Sequence, residues 1–132
     1  MTKFLKTRPY TIYKACPFLF LNIEVFYLSV EISVNGEVTI AYLGGEIDHH
    51  SAATIRAQID NAAELNMPSL LVLDFTRVSF MDSSGIGLVM GRYRNLSRRG
   101  AKLHITGTSP QIYKVMRLSG IEKLSTIDEP KI

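Results

Sequence analysis

Apolar and polar residues alternate from Leu28 onward. Leu28, Val30, Ile32 and Val34 are separated by polar positions, Asn35-Gly36 marks a two-residue turn, and Val38, Ile40 and Tyr42 resume the alternation. A period of two on either side of Asn-Gly predicts a β-hairpin over Leu28–Leu43. The period changes after Gly44-Gly45. Ile55, Ile59 and Ala62/Ala63 fall four and then three or four residues apart, with Arg56, Asp60 and Glu64 between them, so roughly 49–65 reads as an amphipathic helix closed by Asn66-Met67-Pro68. Leu70 to Leu73 is an unbroken apolar run, which suits a central strand covered on both faces. A second helix follows Asp82, with Ile86, Val89, Met90 and Tyr93 inward, Arg92, Arg94, Arg98 and Arg99 mostly outward, and Gly100 at its end. Leu103 and Ile105 predict another buried strand. Ser109-Pro110 supplies a cap and a first-turn proline for a third helix, with Ile112, Val115 and Met116 inward and Gly120 at its end. Leu124 to Ile127 adds a short last strand.

A hairpin followed by strand–helix units implies an α/β fold: one mixed β-sheet with an N-terminal hairpin and helices packed over it. Residues 1–27 lack clean periodicity and are broken by Pro9 and Pro17, so they are expected to be peripheral and dispensable. The domain itself is expected over 28–128, with a tail at 129–132.

Charge and cysteine content narrow the function class. The chain has 132 residues and a formal net charge of +3. Lys3, Lys6, Arg8 and Lys14 against Glu24 account for all of it, and the other 11 basic and 11 acidic residues cancel. A neutral domain offers no electrostatic footprint for a nucleic acid backbone. Cys16 stands alone, so no intrachain disulfide forms. The apolar stretch from Ala15 to Val30 contains Pro17, Asn22 and Glu24 and is too short to span a bilayer. The expectation is a cytoplasmic protein with no membrane association.

Two clusters carry candidate chemistry. Phe80-Met81-Asp82-Ser83-Ser84-Gly85-Ile86-Gly87 sits where a strand gives way to a helix, and function gathers at such carboxyl ends in α/β sheets. Capping by Asp82 or Ser83 explains one polar residue there. It does not explain two adjacent hydroxyls and two glycines. The spare hydroxyl would lie over the helix N-terminus, where a phosphate is accommodated. Gly85, Gly87 and Gly91 are spaced GxGxxxG with no Gly-Lys-Ser/Thr, which argues for close packing of the helix on the sheet over a nucleotide loop. The second cluster, Glu46-Ile47-Asp48-His49-His50, joins the hairpin to the first helix, with Asp48 as the expected N-cap. Neighbouring histidines point apart on a helix, and no further ligand spacing completes a metal site. A Ser–His–Asp hydrolase lacks the G-x-S-x-G elbow and room for a cleft. A nucleotide-binding or hydrolysing enzyme would need a pocket and ligands that the sequence does not offer. Neither cofactor nor metal is expected.

Gly45 to His50, Phe80 to Gly87 and Met90-Gly91-Arg92-Tyr93, together with Ser109-Pro110 and Leu118-Ser119-Gly120, resemble the sulfate transporter and anti-sigma-factor antagonist (STAS) domain family. The Asp-His-His and Met-Gly-Arg-Tyr segments resemble its sporulation branch more specifically. The resemblance runs from near Leu28 to near Ile127 and implies a non-enzymatic switch. In such a switch the dephosphorylated protein binds an anti-sigma factor that is also a homodimeric, ATP-dependent serine kinase, and the sigma factor (sigma F in the sporulation branch) is released. The kinase then phosphorylates the serine that falls on Ser83, and a PP2C-type phosphatase restores the active form. The implied partner-binding residues are Glu46, Asp48, His49, His50, Met81, Asp82, Ser84 and Gly85. The same domain serving a stress-response sigma factor is the alternative that the resemblance allows.

Overall fold

The computed structural model describes residues 30–130. The order is β1 (Val30–Asn35), β2 (Val38–Ile47), α1 (Ala52–Asn66), β3 (Leu70–Met81), α2 (Ser83–Ser97), β4 (Lys102–Thr106), α3 (Pro110–Ser119), a 3₁₀ turn (Ile121–Lys123) and β5 (Thr126–Ile127). β1 and β2 are antiparallel, and every later pair is parallel. The sheet order β1-β2-β3-β4-β5 follows the chain.

That order fixes where the helices go. Each parallel connection passes to the next strand in the same direction, and such crossovers are right-handed, so all three helices share one face. The core lies under them. Ile32, Ala41, Leu43, Leu71, Leu73 and Ile105 from the sheet meet Ile55, Ile59, Val89, Leu96, Ile112 and Met116 from the helices. The expectation of cover on both faces of Leu70–Leu73 is therefore corrected: Leu71 and Leu73 are buried, but Leu70 and Val72 on the other face are only half-buried. The strand is central, as expected, and runs on to Met81.

Four local readings also change. The hairpin loop is Gly36-Glu37, not Asn35-Gly36, because Asn35 pairs with Val38 and only Gly36 takes a positive φ, of 62°. The first helix begins at Ala52 rather than near 49, after a turn described below. Its end matches expectation, with Met67 left-handed at φ 42° before Pro68. Val115 is 43% exposed, leaving Ile112 and Met116 as the inner stripe of α3. Arg92 is the largest departure: it is 6% exposed and lies under the α1–α2 contact, where its Nε is 2.8 Å from Asp60 Oδ1.

The caps of the third helix follow the sequence. Ser109 Oγ accepts from the Ile112 N–H at 3.2 Å, Pro110 occupies the first turn, and Gly120 closes the helix at φ 87°. These contacts fix where β4 turns back, at the same carboxyl edge of the sheet where β2 and β3 end.

Candidate functional site at the carboxyl edge

β3 is longer than its partner requires. Between the pairs Tyr42↔Asp74 and Ile47↔Met81, β2 advances five residues and β3 seven, through two register shifts. Bulges of this kind bend a strand and re-aim its side chains. β4 pairs only as far as Asp74, so Phe75–Met81 projects with β2 beyond the rest of the sheet. The buried set moves from Leu71, Leu73 and Phe75 to Val78, and Phe80 is turned outward at 50% exposure. Phe80 lies on the face away from the helices, as simple alternation from Leu71, Leu73 and Phe75 places it. The two one-residue shifts cancel in a period of two, so Met81 returns to the core face beside Ile47 and Phe80 stands outward opposite Glu46.

The two clusters singled out from sequence come together here. Ile47 pairs with Met81, and the Asp82 N–H donates to the Ile47 carbonyl at 3.1 Å, so both chains leave the sheet side by side. On one side Asp82 is the N-cap of α2, its Oδ1 accepting from the Ser84 N–H at 2.8 Å. Ser83 is the first helical residue and is exposed, and its hydroxyl makes no hydrogen bond among the described residues. Ser84 and Met81 are half-buried. Gly85 is buried and turned inward, so of the residues grouped as partner contacts it is the one that faces the core. A Cβ on it would lie 2.1 Å from Met81 Cγ and 3.4 Å from Ile47 Cγ2. Close packing thus explains Gly85. It does not explain Gly87 or Gly91, where an added Cβ would meet nothing within 4 Å.

On the other side, Asp48 does not cap α1. It builds the turn before it, its Oδ1 accepting from the N–H groups of His50 at 2.9 Å and Ser51 at 3.0 Å. Ser51 is the residue at the N-cap position. Its hydroxyl donates to the Glu46 carbonyl at 2.9 Å and accepts from the Asp48 N–H at 3.1 Å. Asp48 and Ser51 both sit close to the chain reversal, and a short carboxylate satisfies two N–H groups of a tight turn as readily as a helix end. The Ser51 N–H, followed by that of His50, holds the Asp48 carboxyl below its ordinary value. Glu46, His49 and His50 are exposed around this turn, the two imidazole rings 4.0 Å apart at 38°.

Ser83 therefore stands exposed at a helix start that the Asp82 carboxylate already occupies, beside a loop carrying Glu46 and Asp48. A neutral hydroxyl is comfortable there. A phosphate in its place would add about −1.5 to −2 charges to an acidic corner.

The STAS domain profile matches residues 29–130. This chain belongs to the STAS domain family. Among curated relatives, the anti-sigma F factor antagonist of Paenibacillus polymyxa is 30% identical over 80% of this chain and 90% of its own length. That of Lysinibacillus sphaericus is 38% identical over 67% and 75%. Among solved structures, the Bacillus cell fate determinant SpoIIAA in its phosphorylated form is 34% identical, covers 76% of this chain and 92% of its own, and superposes with a TM-score of 0.61. The five-strand mixed sheet with three helices is the fold expected for this family. Among the described residues no helix is long and apolar enough to cross a membrane.

Proposed function

We propose that this chain is an anti-sigma factor antagonist of the sigma F type, a cytoplasmic binding module and not an enzyme, switched by phosphorylation of Ser83. The observation that carries the reading is the placement of Ser83: exposed, unbonded, first in its helix and flanked by Asp82. An enzyme's serine nucleophile needs a base within hydrogen-bond reach. The free Ser83 hydroxyl suits the opposite role, that of a group acted upon. Relatives named as sigma F antagonists and a similar structure solved in a phosphorylated form support the same reading.

The partner is an anti-sigma factor with serine kinase activity, acting as a nucleotide-bound homodimer, and a PP2C-type phosphatase reverses the mark. In the unphosphorylated form the partner rests on the Ser83–Ser84 helix start and the Glu46–His50 turn, with Asp82 and Met81 fixing the approach from below and Gly85 setting their packing. Phe80 belongs to the same surface as an apolar anchor. The phosphate changes that surface in one step, because a partner shaped for a neutral hydroxyl meets a desolvated dianion.

Incubation with the candidate kinase and ATP, followed by phosphopeptide mapping, tests the site. Label on Ser83, absent from Ser83→Ala and retained in Ser84→Ala, is the expected result. Label on Ser84, or none in the peptide spanning both, overturns the assignment.

A further inference from the structure

A second recessed site lies away from the switch. Between the carboxyl halves of α1 and α2 is a cleft of about 330 Å³, near the lower end of the volumes that small ligands occupy. Met67, 60% exposed, and half-buried Ala63 give it accessible apolar surface above a floor of buried Ile59, Leu71 and Leu96. Its α2 wall carries Arg92, Asn95, Arg98 and Arg99, and its α1 wall Asp60 and Glu64.

The arginines are not equivalent. Arg98 and Arg99 reach solvent, and Arg99 is tied across one end of the cleft by its Nη1, which donates to the Pro68 carbonyl at 3.0 Å. Arg98 makes only a long contact, 3.4 Å, with Asn95 Oδ1. Arg92 is buried, and its charge is incompletely answered. Asp60 Oδ1 approaches Nε at 2.8 Å as an ion pair but off the line of a hydrogen bond, and Nη1 has no partner among the described residues. A buried guanidinium with idle donors is costly unless something satisfies it. Burial also depresses the basicity of Arg92, with Asp60 opposing that effect. Three guanidiniums face two carboxylates, and one of those carboxylates is already engaged by Arg92.

We propose that this cleft binds a small amphiphilic organic anion, its carboxylate or phosphate head held by the arginines and its apolar body against Met67 and Ala63 over the Ile59–Leu71–Leu96 floor. Planar guanidinium forks match such heads. The apolar floor excludes a bare inorganic ion as the preferred occupant. Glu64 is the counterweight: exposed on the opposite wall, it weakens the site for any anion.

The full chain is titrated, by amide chemical shifts, with octanoate, octyl phosphate, inorganic phosphate and octanol. Saturable shifts confined to Ala63, Asn95 and Leu96 are expected with the two amphiphilic anions. Inorganic phosphate and octanol, each lacking half of the recognised chemistry, are expected to bind at least about tenfold more weakly, a difference near 1.4 kcal/mol. Arg98→Gln with Arg99→Gln should weaken octanoate by a similar factor, and Glu64→Gln should tighten it. All three substitutions are on the surface, so the comparison survives even where an Arg92 variant fails to fold. Absence of saturation, insensitivity to the arginine pair, phosphate or octanol binding as tightly as octanoate, or weaker binding in Glu64→Gln would each overturn the proposal.

Discussion

Replacing Asp60 by alanine removes the carboxylate that faces the Arg92 guanidinium and leaves a charge with 6% exposure unanswered under the α1–α2 contact. Breaking one side of a buried ion pair costs about 3–5 kcal/mol. Asp60 is itself 34% exposed, so water reaches its end of the pair and the cost is discounted below that range, to about 2–3 kcal/mol. For a domain of this size each kcal/mol moves the thermal midpoint by about 4–8 °C, so the midpoint of Asp60→Ala should fall by at least about 8 °C. The reverse change is milder. Arg92→Met keeps an apolar stem of similar length and removes the buried charge together with its idle donors, at about 1 kcal/mol or less. In the double variant Asp60 no longer faces a charge, so its loss adds little, and a double-mutant cycle by thermal or urea unfolding reads the coupling directly. An Asp60→Ala cost below about 0.5 kcal/mol, or an Arg92→Met cost exceeding that of Asp60→Ala, refutes the claim that Arg92 is a buried cation dependent on this one carboxylate.

Other outcomes follow from the same geometry. Gly85→Ala should lose about 1–3 kcal/mol in urea unfolding, because its Cβ must displace Met81. Gly87→Ala, which meets nothing, should instead gain up to about 1 kcal/mol through helix propensity, and a loss there would contradict the open space. Asp48 has a depressed folded pKa, so the stability it contributes is fully present above the ordinary carboxylate value and is lost as pH falls through the lower folded value. Asp48→Asn should flatten that acid limb of a pH–stability curve, and an unchanged limb counts against the turn. Deleting residues 1–24 should leave the unfolding midpoint within a few degrees, and a large drop would make that segment part of the core.

The parts of this fold that were legible in the sequence are those governed by local periodicity. The hairpin expected over Leu28–Leu43 is present from Val30 on, because side chains alternate across a pleat, and Ser109-Pro110 announces a helix because capping acts over three residues. Readings that failed depend on partners distant in the chain. Whether Val72 is covered depends on which face the crossovers choose. Arg92 looks like any solvated arginine until Asp60, one helix earlier, is brought against it. The sequence makes Asp48 the N-cap of the first helix, but local sequence does not distinguish a turn from a cap when Ser51 follows three residues later. Of the candidate site, Ser83 and the acidic turn were visible as unusual residue combinations, and their meeting rests on the Ile47↔Met81 pairing. The exposure of Phe80 is not legible locally, because it depends on β3 running past the end of β4, which pairs only as far as Asp74.

A switch at Ser83 is a difference in affinity between two forms of one surface. It is read from the dissociation constant of this chain for a purified anti-sigma kinase, taken before and after stoichiometric phosphorylation, with Ser83→Ala alongside. A phosphate desolvated against the partner and set beside Asp82 and the acidic turn costs several kcal/mol of binding. Phosphorylation should therefore weaken the complex by at least about a hundredfold, at roughly 1.4 kcal/mol per tenfold. Ser83→Ala should bind as tightly as the unmodified protein and stay bound in the presence of ATP. Equal affinity of the modified and unmodified forms, or release of Ser83→Ala by ATP, would contradict a switch at Ser83.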